Sequence, residues 1–226
     1  MTRILSRMVP ALALAFALCI PLSASAEGIA TSLQQRYDGV KTLKSAFTQT
    51  LTHKESGSKE VRKGTLLFRK PLLVRWETQK PHPELLVVGD KEIWNYLPEE
   101  EVAYRYPLDL VRDSRSIVSV ITGQARLDQD FQVVEEGTED GLQKLHLFPK
   151  EPVQSLTEAI VWVDAEAKLI KRARIYDFYG NENDIVLEDL AADAKLSDTS
   201  FTFTPPKGVD VEDRIKGGSP EKQLFN

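Results

Sequence analysis

Cysteine is nearly absent: the 226-residue sequence has one, Cys19, and it lies in an N-terminal segment that reads as removable. A chain cut after Ala26 has no thiol, which excludes a disulfide, a thiolate nucleophile and a cysteine-held metal. Histidine is scarce as well. His53, His82 and His146 fall in a loop, a proline-bounded turn and a strand, and no two have the spacing of a zinc pair. No Gly-x-Ser-x-Gly elbow and no glycine-rich phosphate loop occurs. Asp109 with Asp113, and the run Glu99 to Glu101, read as solvated faces or turns. No catalytic residue, metal or cofactor is therefore expected, and the chain reads as a non-enzyme. An excess of positive charge is missing too. Of 29 Lys and Arg, Arg3 and Arg7 lie in the removable segment, leaving 27 against 34 Asp and Glu, a formal net charge of −7. That balance argues against nucleic acid and against a general affinity for anionic membrane surfaces.

The first 26 residues carry the marks of a secretory signal. Arg3 and Arg7 form a positive start, Met8 to Ile20 is apolar, Pro21 breaks the run, and Ala24-Ser25-Ala26 offers the small residues of a cleavage site. The apolar run is shorter than the roughly 20 residues that span a bilayer. A lipidated cysteine needs a small residue before it, and Leu18 precedes Cys19. The expected organisation is residues 1–26 as a cleaved signal, 27–215 as a single domain, and 216–226 as a flexible tail. With 42% hydrophobic and 28% charged residues, the composition is that of a globular domain.

Periodicity predicts a helix through Ile29, Leu33, Tyr37 and Val40, stopped near Gly39. Threonine-rich alternation from Phe47 to Thr52 predicts a strand, and His53 to Lys63 a polar hairpin loop. Short strands are then predicted at 64–69, 72–78, 85–88, 92–97 and 102–106. One helix is predicted through Leu108, Val111, Ile117, Val118 and Ile121, ended by Gly123. Strand patterns resume at 131–135, 143–148, 159–164, 169–179 and 184–190, and Phe201 to Thr204 closes the domain. The reading is a mainly β fold with some helix: about 10 to 11 short antiparallel strands in a barrel or curved sheet.

Twelve apolar strand residues are expected to converge on one concave face: Leu66, Phe68, Val74, Trp76, Leu86, Val88, Trp94, Tyr96, Ile160, Trp162, Tyr176 and Phe178. A small barrel fills with such side chains and a larger or unclosed one leaves a ligand cavity. Periodicity alone leaves both open.

Several strings in fixed order carry a resemblance. They are Phe47-Thr48-Gln49, Gly64 to Pro71, Arg75-Trp76 followed by Pro81, Leu86 to Asp90, Ile93 to Tyr96, and Phe201-Thr202-Phe203-Thr204-Pro205-Pro206-Lys207-Gly208-Val209. In this order the chain resembles the periplasmic outer-membrane lipoprotein carrier proteins, the LolA family, over nearly its whole mature length. The resemblance implies an unclosed antiparallel β-barrel with a helical lid over a hydrophobic cavity. It also implies a soluble periplasmic monomer that takes acylated lipoproteins from an inner-membrane ABC transporter to an outer-membrane acceptor. In the family an Arg before the proline holds the lid through backbone hydrogen bonds; here Lys70 stands in that place. Two readings stand for Lys70, a holder of the lid and an exposed strand-end lysine. The alternative function on the same fold is a carrier or sensor of another lipid or hydrophobic ligand.

Overall fold

The computed structural model describes residues 28–111 and 116–215; the signal and tail predicted from sequence lie outside the described residues. Twelve strands form one sheet. They are β1 (Thr42–Thr52), β2 (Lys59–Arg69), β3 (Leu73–Lys80), β4 (Glu84–Val88), β5 (Glu92–Leu97), β6 (Val102–Pro107), β7 (Phe131–Glu139), β8 (Leu142–Pro149), β9 (Glu158–Asp164), β10 (Leu169–Tyr176), β11 (Glu182–Ala192) and β12 (Asp210–Asp213). Their spatial order is β12-β6-β5-β4-β3-β2-β1-β11-β10-β9-β8-β7. Every pairing is antiparallel except β12 on β6. β7 and β12 are the two edge strands and do not pair with each other, so the barrel does not close.

Alternation along each strand sends one set of side chains into a shared core. Leu43 and Phe47 of β1, Leu66 and Phe68 of β2, Val74 and Trp76 of β3, Leu86 and Val88 of β4, and Ile185 and Leu187 of β11 belong to it. Gly64 is required where β2 passes between its neighbours, since a Cβ there would lie 1.9 Å from the Glu77 carbonyl oxygen.

Three short helices sit on this concave face. They are α1 (Ile29–Gly39), α2 (Ile117–Ile121) and α3 (Leu127–Asp130). All five residues of α2 are buried, four of them apolar and the fifth, Ser119, hydrogen-bonded at the helix start. Its start is fixed by Ser116, whose Oγ accepts from the Ser119 N–H at 3.2 Å while its own N–H donates to Ser119 Oγ.

Five local expectations are corrected. The predicted helix over Leu108, Val111, Ile117, Val118 and Ile121 is two pieces, a 3-10 turn at Leu108–Val111 and α2. The loop predicted at 53–63 is shorter, because β2 already begins at Lys59 and pairs with Thr52. The strand predicted over 169–179 stops at Tyr176, with Phe178 and Tyr179 in the following turn. Phe201 to Thr204 is no ladder strand: Phe201 ends a 3-10 turn and the chain then runs extended. The closing strand is β12, whose sequence DVED lacks any hydrophobic alternation. The total is therefore twelve strands where ten or eleven were expected.

Candidate functional site

The helices are tied to the sheet by few but specific polar contacts. Lys70, just past the end of β2, donates from Nζ to the carbonyls of Tyr37 (2.6 Å) and Asp38 (3.1 Å) in the last turn of α1. Those carbonyls lack helical partners and carry the negative end of the helix dipole, so a cation there is favoured. On the other side of the α1 C-terminus, the Lys41 N–H donates to Asp193 Oδ1 at 3.0 Å. That bond, with the nearby Arg36 charge, holds the Asp193 carboxyl below its usual range. Arg69 projects to the outer face, as expected, where it donates to Asp198 and to the Leu196 carbonyl.

Tyr37 joins α1 to everything around it. Its ring is buried against Gly123, where any Cβ would lie 2.0 Å away and where φ is +70°. Its hydroxyl donates to the Ile121 carbonyl and accepts from the Ile170 N–H, both at 3.2 Å. Burial pushes this phenol well above its ordinary range, so it stays a neutral donor. Gln34 of α1 accepts from the Leu127 N–H at 3.0 Å, which brings α3 in. Gln124 donates to the Pro71 carbonyl beside Lys70.

The twelve predicted apolar residues divide into two sets of six. Leu66, Phe68, Val74, Trp76, Leu86 and Val88 lie on the concave face. Trp94, Tyr96, Ile160, Trp162 and Tyr176 stand on the outer face, and Phe178, 72% exposed, lies in a turn. Trp94 and Tyr96 pack on Phe203 of the extended C-terminal segment, at 5.6 and 5.3 Å between ring centroids. Trp162 lies under Arg172, whose guanidinium carbon is 4.4 Å from the ring centroid, with Arg174 and Lys144 farther off. On β5 the buried residues are Ile93 and Asn95, where Trp94 and Tyr96 were expected to face inward. The unused clue was the Phe201 to Thr204 string, an aromatic pair that needs an apolar partner of its own. Tyr37, Leu43, Ile93, Tyr106, Leu145 and Ile175 are core residues absent from the expected set.

Of the five lid residues named from sequence, Ile117, Val118 and Ile121 are buried in the concave core; Leu108 and Val111 are partly buried against it. Between α2 and the β2–β4 ends, bounded by Phe68, Leu72, Val74, Val88, Val111 and Val118, the remaining gap is about 10 Å³, room for one water at most. Among the described residues, two larger openings lie elsewhere. One, of about 420 Å³, runs between α1, α3 and β7. The other, of about 450 Å³, lies at the far end of the strands beside the β1–β2 turn. Among the described residues no group of three His, Cys, Asp or Glu could hold a metal, and no helix is long and apolar enough to cross a membrane.

An apolar half-barrel closed by tethered helices is the architecture expected from the resemblance. Residues 38–204 match the family described as Outer membrane lipoprotein carrier protein LolA. The chain belongs to that family. An outer-membrane lipoprotein carrier protein from Chromobacterium violaceum is 30% identical over 204 residues, covering 90% of this chain and 95% of that one. The one from Bordetella avium is 26% identical, with 93% and 99% covered. Among solved structures, an uncharacterized conserved protein from Thermus thermophilus superposes with a TM-score of 0.55 at 15% identity, covering 83% of this chain and 100% of that one, a likeness of fold. The LolA family is one of carriers, not a class of enzymes. In this LolA-family chain the ammonium of Lys70 reaches the backbone of α1.

Proposed function

We propose that the chain is a soluble periplasmic carrier that shields the acyl chains of lipoproteins and moves them from the inner membrane to an acceptor at the outer membrane. The observation that supports this most is the concave face itself: a continuous apolar surface on an unclosed sheet, covered by helices that only a few polar contacts hold down. Family membership supports the same reading. The N-terminal 26 residues act as a cleaved signal in this proposal, and the mature chain works as a monomer with no cofactor.

Energetics define how such a carrier works. Each buried CH₂ is worth about 0.8 kcal/mol. Chains of lipid length thus carry tens of kcal/mol, beyond the practical binding limit of about −21 kcal/mol. Release into water is excluded, so cargo passes from one apolar surface directly to another, first from an ABC transporter and then to an acceptor. Among the described residues the gap beneath α2 is about 10 Å³, which favours entry of cargo by displacement of α2. Ile117, Val118, Val120 and Ile121 occupy the concave face until acyl chains replace them. Exchange of one apolar filling for another keeps the net cost of opening modest. Lys70 and Tyr37 set that cost by holding the helices on the sheet.

The purified mature protein is expected to form a soluble 1:1 complex with a triacylated lipoprotein and to lose bound bis-ANS as the complex forms. If neither the lipoprotein nor a free lipid displaces the dye, the carrier reading is wrong. Displacement by a lipid but not by lipoprotein favours the alternative carrier or sensor.

A further inference from the structure

The concave face changes character along its strands. Near the helices it is apolar, with Leu43, Phe68, Val74 and Val88 all buried. Farther from the helices one inward position on each of six neighbouring strands is polar, with apolar Leu51 beyond Gln49 on β1. Asn183 of β11 and Gln49 of β1 are hydrogen-bonded at 3.0 Å. Arg62 of β2 and Thr78 of β3 follow, then Glu84 of β4 and Asn95 of β5, with Asn95 Nδ2 donating to Glu84 Oε1 at 2.7 Å. These six strands are consecutive neighbours in the sheet, so the side chains form an unbroken row. Arg62 also donates to Glu60 Oε1 at 2.6 Å.

Two features of this row point outward to a ligand. Asn95 is 2% exposed, and its Oδ1 accepts no hydrogen bond. A buried acceptor left unmade costs free energy and calls for an explanation. At the β11 end of the row lies the opening of about 450 Å³, whose wall includes Leu51, Glu60, Ile175 and, of the six row residues, Asn183. The polar row thus runs from the apolar surface beside Leu86 to the rim of this opening at Asn183.

We propose that this row is a subsite for the polar linkage of acylated cargo, the ester and amide groups that join the chains to the protein. The acyl tails run from the row toward α2, and the attached peptide leaves through the opening beside the β1–β2 turn. The inference rests on the carrier reading and adds an orientation to it. Its chemistry is complementary: Asn95 Oδ1 accepts an amide N–H of the cargo, and the Arg62 guanidinium offers donors to ester carbonyls. Reversed cargo would put methyl ends against Arg62 and Glu84 and strand the ester groups among Phe68, Val74 and Val88.

Two measurements on the full mature chain test this. A photo-crosslinking amino acid is placed at Leu51 or, in a separate variant, at Leu72. The probe is a synthetic tetrapeptide on an N-palmitoyl, S-dipalmitoylglyceryl cysteine. Mass spectrometry is expected to map the Leu51 crosslink to glyceryl or peptide atoms and the Leu72 crosslink to distal acyl carbons. A reversed map, identical maps, or bound probe that never reacts at Leu51 overturns the orientation while leaving the carrier reading intact. A probe that does not bind at all overturns both. The second measurement compares this probe with one N-methylated at the acyl amide. The wild type is expected to bind the methylated probe about tenfold more weakly, and Asn95→Leu to abolish that difference. Equal affinities for the wild type, or a difference that survives the substitution, removes Asn95 from the subsite.

Discussion

At the scale of single residues, Tyr37 shows how a lid can be both apolar and directional. Its ring fills the space that Gly123 leaves, and its hydroxyl satisfies two buried backbone groups, the Ile121 carbonyl and the Ile170 N–H. A net hydrogen bond contributes about 0.5–1.5 kcal/mol, and an orphaned buried partner costs about 1–3 kcal/mol. Tyr37→Phe keeps the ring and strands both partners, so chemical denaturation is expected to show a loss of about 2 kcal/mol. A loss within error of zero would mean that water takes the place of the hydroxyl. Lys70 differs in kind. An arginine at a strand end can offer a planar fork of donors, whereas the ammonium gives rotatable donors from one point. The structure shows that one ammonium nonetheless reaches two successive carbonyls.

At the scale of elements, α1 is held from both sides of its C-terminus, by Lys70 and by Asp193, while α2 depends on α1 through Tyr37. Loss of the Lys70 contact should therefore loosen α1 before it affects the sheet. In Lys70→Leu, amide exchange within Ile29–Gly39 is expected to rise about tenfold, with β1 and β2 unchanged and lipoprotein release faster. Unaltered exchange and release would make Lys70 a strand-end lysine and nothing more. The extended segment after β11 is the second element with a mechanical role. It covers the outer aromatics through Phe203, places Phe201 under Arg69, and ends in β12 on β6. Its aromatic string was readable in sequence, but its position was not, since an extended segment outside a ladder has no periodicity to predict.

At the scale of the whole molecule, the outer face has to be stable while the inner face exchanges its contents. A charged lattice on β8 to β11 provides part of that stability. Arg172 and Arg174 each place a guanidinium nitrogen 2.6 Å from Asp184 Oδ2, and both lie over Trp162. Burial works against the Asp184 carboxylate, but the two arginines outweigh it and hold its carboxyl below the ordinary range. A carboxyl whose folded value is lowered contributes stability above its unfolded value and loses it as pH falls through the folded one. Stability should thus decline from about pH 4 downward. Asp184→Asn should cost about 2 kcal/mol at neutral pH and flatten that acid limb. Glu60 and Asp193, also lowered, keep some slope in the variant. Denaturant midpoints across pH 2–7 measure both effects, and parallel curves would exclude Asp184 as a contributor.

What the sequence determined by itself was whatever short-range order encodes: the strand-rich composition, most turns, the first helix, and the ordered strings that carry the family resemblance. It also located Lys70 beside Pro71, though not what its ammonium touches. Tertiary structure decided which face of each strand is the inner one. Alternation gives two faces and labels neither, so Trp94 and Trp162 looked inward until Phe203 and Arg172 were found covering them outside. It decided too that three short helices, and not the two expected, lie on the concave face, because α2 and α3 owe their stability to burial there and not to helical periodicity. The polar row from Asn183 to Asn95 belongs to the same class. Its members lie far apart in sequence, and only the pairing of six strands brings them into line.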